Sequence, residues 1–291
     1  MLMETGGPEA AASFRPAKGK EYREHGNPER KERLSAIRER LLGYRKAAVV
    51  DQEHQVEYDT KIQKRRILVT QSIIGVNVLV YVVMILAGVP PLNPTSAQLI
   101  PWGSVHGPSI RGGEWWRIIT LNFVHFGWIH LLSNMVPLAY GGRYAERLFG
   151  SFAFLFIYVM SGVSGGLLFV LSFPANSGAG ASGAIFGVYG AMAGLVYVKK
   201  QAIPKSEWKK IWLTSIPIVV QGSIDSILPT PHGPAFHAGG LVMGFSIAAC
   251  LPDPLQLRNS PSDLLHARLL LPVLSVLALA FGVGMRLNVL S

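Results

Sequence analysis

The stretch "GAGASGAIFGVYGAMAGLVY", Gly178 to Tyr197, sets a single serine among glycines and alanines at the start of an apolar segment. Small residues, serine included, gather where membrane helices meet. Read by itself, Ser182 is therefore either a packing residue or a nucleophile held within a membrane. From Gly183 the glycines recur at 187, 190 and 194, three and four residues apart, which predicts a helix with one bare stripe. A second segment, "HAGGLVMG" from His237 to Gly244, places Gly240 and Gly244 four apart just below a histidine. Two such stripes, each topped by a reactive side chain, predict two helices in backbone contact. That contact would bring His237 within hydrogen-bond reach of Ser182.

The rest of the chain sets these segments in a membrane. The 291 residues are 49% hydrophobic and 15% charged, against about 25% charged in an ordinary soluble domain; the mean hydropathy is +0.33. Residues 1–66 carry 26 of the 44 charged side chains, so a polar head precedes an apolar remainder. The net charge of +10 does not point to nucleic acid. Its basic residues lie at the ends of apolar runs rather than in one patch interleaved with aromatics. The single cysteine, Cys250, excludes an intramolecular disulfide and a cysteine-based metal cluster. Nothing in the sequence calls for a cofactor or a metal ion. The first residues, "MLMETGGPEAAASF", lack the basic-then-apolar order of a secretory signal.

Seven apolar runs follow the head, near 67–89, 118–141, 151–173, 181–198, 211–228, 235–251 and 268–288, each close to the roughly 17–25 residues that cross a bilayer. The expected fold is all-α: a polytopic membrane helix bundle. With the N-terminus cytoplasmic, the inner connections hold nine of the twelve Lys and Arg beyond residue 66, which is the bias that orients membrane proteins. Seven spans then leave the C-terminus outside. Residues 90–117 form a long outer loop with three tryptophans, suited to the headgroup level. In the head, residues 1–26 have a disordered composition. Residues 27–48 read as a helix opened by Asn27 and Pro28, with Leu34, Ile37, Leu41 and Leu42 along one stripe. That helix is either solvated or laid on anionic lipid headgroups.

Ionisable side chains inside a membrane are functional candidates by default. His130 and Asn134 are four residues apart, share a helix face and can aim donors at one point. His125 is out of phase with them and is expected to serve structure or bind water. A serine hydroxyl needs a base to take its proton, and neutral imidazole does so near pH 7. Asp225 is the one acidic candidate for a third member, and it is remote from His237 in sequence. A Ser–His pair without a carboxylate suits lipid, since both resting partners are neutral. The Ser182 amide, His130 and Asn134 can supply donors for an oxyanion. The nucleophile elbow of soluble hydrolases does not fit: Ala184 stands where its second glycine belongs, and no strand precedes the serine.

These residues together resemble the rhomboid family of intramembrane serine proteases. "GASG" at 180–183 is similar to its G-x-S-G motif, and "HFGWIHLLSN" at 125–134 to its second-helix pattern. "FHAGGLVMG" at 236–244 is similar to the sixth-helix histidine with glycines, and "WWR" at 115–117 to the Trp-Arg motif of the first outer loop. The resemblance implies a six-helix core over 67–252 behind the 1–66 head, with residues 253–291 adding a connection and a seventh helix. It implies Ser182 as nucleophile, His237 as base, and His130, Asn134 and the Ser182 amide as the oxyanion hole. Gly180, Gly183, Phe186, His125 and Gly240 would support the site, while Trp116 and Arg117 would stiffen the outer loop. Phe186 departs from relatives that place a tyrosine under the histidine; it can stack but cannot donate a hydrogen bond. Transmembrane protein substrates and the lipid bilayer are the implied partners, and nucleic acid is not. The short loops suggest a bacterial inner membrane. A non-proteolytic relative that binds or retains client helices is the alternative.

Overall fold

A computed structural model describes residues 28–63, 66–198, 205–227 and 233–251, together with 272–273, 276–280 and 282 near the C-terminus. The expectations for residues 1–26, for Asn27 as a cap, and for most of the 268–288 run lie outside the described residues. The chain divides into two compact units, Met1–Val50 and Asp51–Ser291.

Helix α1 (Pro28–Gln63) runs well beyond the expected end at residue 48. The apolar stripe stops near there, but no glycine or proline follows until after Gln63, so nothing in the backbone ends the helix. Of the first unit, the described residues all belong to α1, and Leu34, Ile37, Leu41 and Tyr44 stand exposed on it.

In the second unit, α2 (Leu68–Leu86) buries Thr70, Ile73, Asn77, Tyr81 and Met84, a single face at helical spacing. Its other faces expose Val76, Leu79, Val82, Val83 and Leu86, as suits a helix bathed in hydrocarbon. Ile67 at its N-cap has no side chain that can accept, so the first amides need a partner from elsewhere. Glu146, fully buried, supplies it: its carboxylate accepts from the Val69 amide at 3.0 Å, the Thr70 amide at 2.8 Å and the Thr70 hydroxyl at 2.7 Å.

The outer loop is ordered. It carries α3 (Ser96–Leu99), capped by the reciprocal Thr95–Gln98 pair, then a 3₁₀ turn (Ile100–Trp102), β1 (Val105–His106) and α4 (Gly107–Arg111). Strand β1 pairs antiparallel with β2 (Ser177–Gly178), Val105 opposite Gly178 and His106 opposite Ser177.

The second apolar run is not the continuous helix expected over 118–141. It begins with α5 (Arg117–Thr120) and a 3₁₀ turn (Leu121–Phe123), then leaves helical geometry at Val124 and at Gly127, whose φ is +91°. Only then does α6 (Trp128–Pro137) start; it passes through a π turn (Leu138–Gly142) into α7 (Arg143–Phe149). Gly127 has no room for a side chain, since a Cβ there would lie 2.0 Å from the Leu92 carbonyl oxygen. Pro137 deprives α6 of a backbone donor in its last turn.

Four longer helices complete the bundle: α8 (Ser151–Ser172), α9 (Ser182–Val198), α10 (Lys205–Ile227) and α11 (Gly233–Cys250). Helix α10 starts six residues before the expected apolar run, with Glu207 buried and bonded to the Tyr144 hydroxyl and the Lys210 ammonium. Among the described residues, α2, α8 and α11 are each long and apolar enough to cross a membrane, and α9 is a shorter apolar helix. The fold is an all-α polytopic membrane bundle. Its core lies where α8, α9 and α11 meet, built on Phe154, Ile157, Phe169, Ile185, Val188 and Ile247.

Candidate active site

Helices α9 and α11 make the most extensive contact in the bundle, and glycine is what permits it. A Cβ on Gly240 would lie 1.9 Å from the Gly183 carbonyl oxygen, and one on Gly244 would lie 1.8 Å from that of Gly187. No side chain fits either position, so the two backbones touch at successive turns. Gly183 in turn lies against the Phe236 carbonyl, which an added Cβ would approach to 3.2 Å.

This register sets Ser182, the first residue of α9, level with His237 in the first turns of α11. Both are buried, at 8% exposure each. The His237 ring stacks on Phe186 with centroids 3.9 Å apart and planes within 9°. Phe186 is four residues after Ser182 and shares its helix face, so the stack carries the imidazole onto the face that presents the hydroxyl. Phe236 stacks on Phe169 at 4.3 Å and fixes the start of α11 against α8. Asp225 falls in α10, and its side chain lies outside those described.

On the other side of Ser182, Gly180 takes a φ of +133° and donates its amide to the Leu121 carbonyl at 2.9 Å. A Cβ on Gly180 would lie 2.7 Å from His130 Cε1 and 2.9 Å from its Nε2, so the serine loop and the His130 ring are in direct contact. His130 Nδ1 accepts from the Phe126 amide at 3.3 Å. That bond selects the tautomer with its proton on Nε2, the edge turned to the serine loop. Asn134, fully buried, donates one amide hydrogen to the His130 carbonyl at 2.8 Å and keeps a second. His125 is fully buried and packs edge-on to His130 at 5.2 Å, a place within the wall of the site.

The outer loop reaches the same point through β2, which precedes the GASG segment. Arg117 organises that loop: it donates to the Ile100 carbonyl at 2.5 Å and the Ser104 carbonyl at 3.1 Å, and pairs with Glu114 at 2.6 Å. Its guanidinium lies 4.5 Å over the Trp116 ring. Neither residue is among the groups around Ser182. His106, beside Ser109 at 3.0 Å, is held below its ordinary pKa by burial and by the nearby Arg117 and Arg111 charges.

Sequence reasoning missed three residues that hold this arrangement. Glu146 binds α2 and, through Ser151 at 2.7 Å, the start of α8. Tyr189 on α9 donates to the Pro137 carbonyl at 3.0 Å and fixes α6 to the serine helix. Ser161 on α8 fills the space beside Gly187, 2.0 Å from where a Cβ would sit. None of the three had a signal: Glu146 sits between two apolar runs beside Arg143 and Arg147, like an ordinary charge of a connection, and the other two look like ordinary helix residues.

Buried serine and histidine side chains, held between helices in backbone contact, make this a polytopic membrane bundle with polar groups enclosed in its core. Comparison with known proteins places the chain more closely. Residues 112–253 match the Rhomboid domain. The chain is 31% identical to rhomboid protease GluP of Bacillus subtilis (strain 168) over 224 residues, 77% of this chain and 42% of that one. It is 31% identical over 140 residues to YdcA of the same organism, covering 68% of it. With RHOMBOID-like protein 4 of Arabidopsis thaliana the identity is 31% over 164 residues, 56% of this chain and 41% of that one. The chain belongs to the rhomboid family and is an integral membrane protein. It spans about two fifths of the length of GluP and of RHOMBOID-like protein 4.

Proposed function

We propose that the chain is an intramembrane serine endopeptidase that cuts transmembrane segments of other membrane proteins. The observation that carries this reading is the His237 ring stacked on Phe186, one turn below Ser182, between helices in backbone contact. In this reading His237 takes the Ser182 proton as Oγ attacks the peptide carbonyl carbon, and returns it to the departing amine. Water then attacks the acyl ester, giving a proton to His237, which passes it to Ser182 Oγ as the acyl carbon–Oγ bond breaks and the second product leaves as a carboxylic acid. The negative oxygen formed in each step faces the Ser182 amide, His130 Nε2–H and the free Asn134 amide hydrogen. Gly180, Gly183 and Gly240 hold the approach of the parts, His125 backs His130, and Trp116 and Arg117 hold the loop above.

A helical peptide bond is shielded by its own hydrogen bonds, so substrates are expected to be helices that unwind readily beside small residues. The head at 1–66 faces the cytoplasm in this reading, the 67–252 core carries the chemistry, and the 253–291 region adds a seventh span that ends outside. A bacterial inner membrane is the proposed setting.

The test is covalent labelling of the purified protein by a fluorophosphonate, with cleavage of a reconstituted single-span substrate measured alongside. Wild type labels and cleaves; Ser182→Ala does neither, and His237→Ala loses at least a thousandfold in cleavage. Equal labelling of wild type and Ser182→Ala, with retained binding of the substrate helix, would give the chain to the non-proteolytic client-binding reading instead.

A further inference from the structure

Helix α1 carries a surface that the chemistry at Ser182 does not use. Leu34, Ile37, Leu41, Tyr44 and Ala48 recur three and four residues apart, so they form one narrow stripe about 21 Å long at about 1.5 Å per residue. All five are exposed. Arg33 and Arg40 border the stripe on one side, and Arg38 and Arg45 on the other, all exposed as well. Leu42 and Val49 add apolar surface beyond the second arginine border. Glu32 and Glu39 stand on the far face, with Lys46.

A stripe with this spacing has two natural partners: a second helix of the same kind, or a lipid surface. The charges decide between them. In a parallel pair of copies, the flanking positions that meet across the seam are Arg33 with Arg38 and Arg40 with Arg45. In an antiparallel pair, each border meets itself, again arginine on arginine. Both arrangements bring like charges together along the whole seam. A bilayer surface has the complementary form. Acyl chains take the apolar stripe, and lipid phosphates accept from guanidinium groups on both borders, whose stems extend along the apolar surface. The carboxylates of Glu32 and Glu39 then face water, away from the phosphates. The stripe is also tethered to a membrane by the chain itself, because Leu68 opens α2 only twenty residues after Ala48.

We propose that Leu34 to Val49 of α1 is a membrane-surface helix that lies in the headgroup layer of an anionic bilayer, parallel to its plane. This inference does not depend on the activity of Ser182.

The experiment uses the full-length chain reconstituted in vesicles of phosphatidylcholine, alone or mixed with phosphatidylglycerol. An environment-sensitive dye is attached through Ala48→Cys in a Cys250→Ser background, since Cys250 is the only native cysteine. In the mixed vesicles the dye emission shifts to the blue and is quenched by brominated acyl chains. Both effects are lost in 1 M salt, where screening acts within about 3 Å. They are also lost when Arg33, Arg38, Arg40 and Arg45 are all replaced by glutamate. Equal emission in the two lipid mixtures would overturn the proposal. So would a blue shift unaffected by lipid charge, together with crosslinking of two copies through the Ala48→Cys thiols of an undyed sample, which would assign the stripe to a second chain.

Discussion

His130 shows how a single backbone bond fixes the proton of a buried imidazole. The Phe126 amide fills Nδ1, so the remaining proton is on Nε2, the edge that contacts the Gly180 turn. A ring held this way is a fixed donor rather than a base, and the two histidines of the proposed mechanism divide the work. Replacing His130 by alanine should lower kcat by about 10²–10³-fold, the usual loss for one oxyanion donor, while the Phe186–His237 stack remains. Cleavage kinetics on a single-span substrate would measure it. If kcat stayed within threefold of wild type, the ring would belong to the wall alone. At this scale the members of the candidate site were legible as residues: Ser182, His130, Asn134 and His237 each stood out as polar groups in apolar runs. The direction of the His130 proton was not, because it depends on where the Phe126 amide points after the chain leaves helical geometry at Val124. Nor was the hydrogen bond that engages half of the Asn134 amide, which turns on a rotamer.

The glycine rows of α9 and α11 work as elements, each helix being smooth where the other needs it to be. Gly244→Ala introduces a Cβ 1.8 Å from a backbone oxygen, which no rotamer can relieve, so the helices must part. A loss of about 3 kcal/mol or more is expected, read as a lower melting temperature in detergent and reduced activity. Gly75→Ala on α2 is the matched control: nothing lies within 4 Å of its added methyl, and the helix gains up to about 1 kcal/mol of propensity. Equal melting of the two variants would mean that α9 and α11 are not held by backbone contact. The periodicity of the glycines made this pair readable from sequence. The broken second run was not readable in the same way, because hydrophobicity continues through Val124 to Trp128 while the backbone does not. The stop lies in a close approach between Gly127 and the Leu92 carbonyl, 35 residues back along the chain. Helix α1 failed in the opposite sense. Its stripe ends before the helix does, and stripe length was taken for helix length.

At the scale of the molecule, Glu146 on α7 joins the neighbouring α8 to α2, which is far away in sequence. It completes the start of α2, 76 residues earlier, and holds Ser151 at the start of α8. Removing it by Glu146→Ala would strand the buried Thr70 amide and hydroxyl and the partly buried Val69 amide, each orphan costing about 1–3 kcal/mol, while the exposed Ser151 hydroxyl turns to water. Partial relief by relaxation leaves an expected loss of about 3–5 kcal/mol in thermal or denaturant unfolding, with Glu146→Gln between it and wild type. Unchanged stability in Glu146→Ala would show that α2 starts without this cap. Such long-range pairing is invisible to local pattern, since nothing in the composition around Thr70 or Ser151 names the carboxylate that will serve them. The arrangement of helices could be foreseen, but the bolts between them could not.

The two-residue ladder between β1 and β2 has a mechanical consequence. Arg117 binds the chain just before Val105, and Gly178 opposite Val105 is four residues from Ser182. Lifting the surface loop therefore tugs on the turn that leads into Ser182. Displacing β1 disturbs the segment that leads into α9, whereas movement elsewhere in the loop leaves the ladder closed.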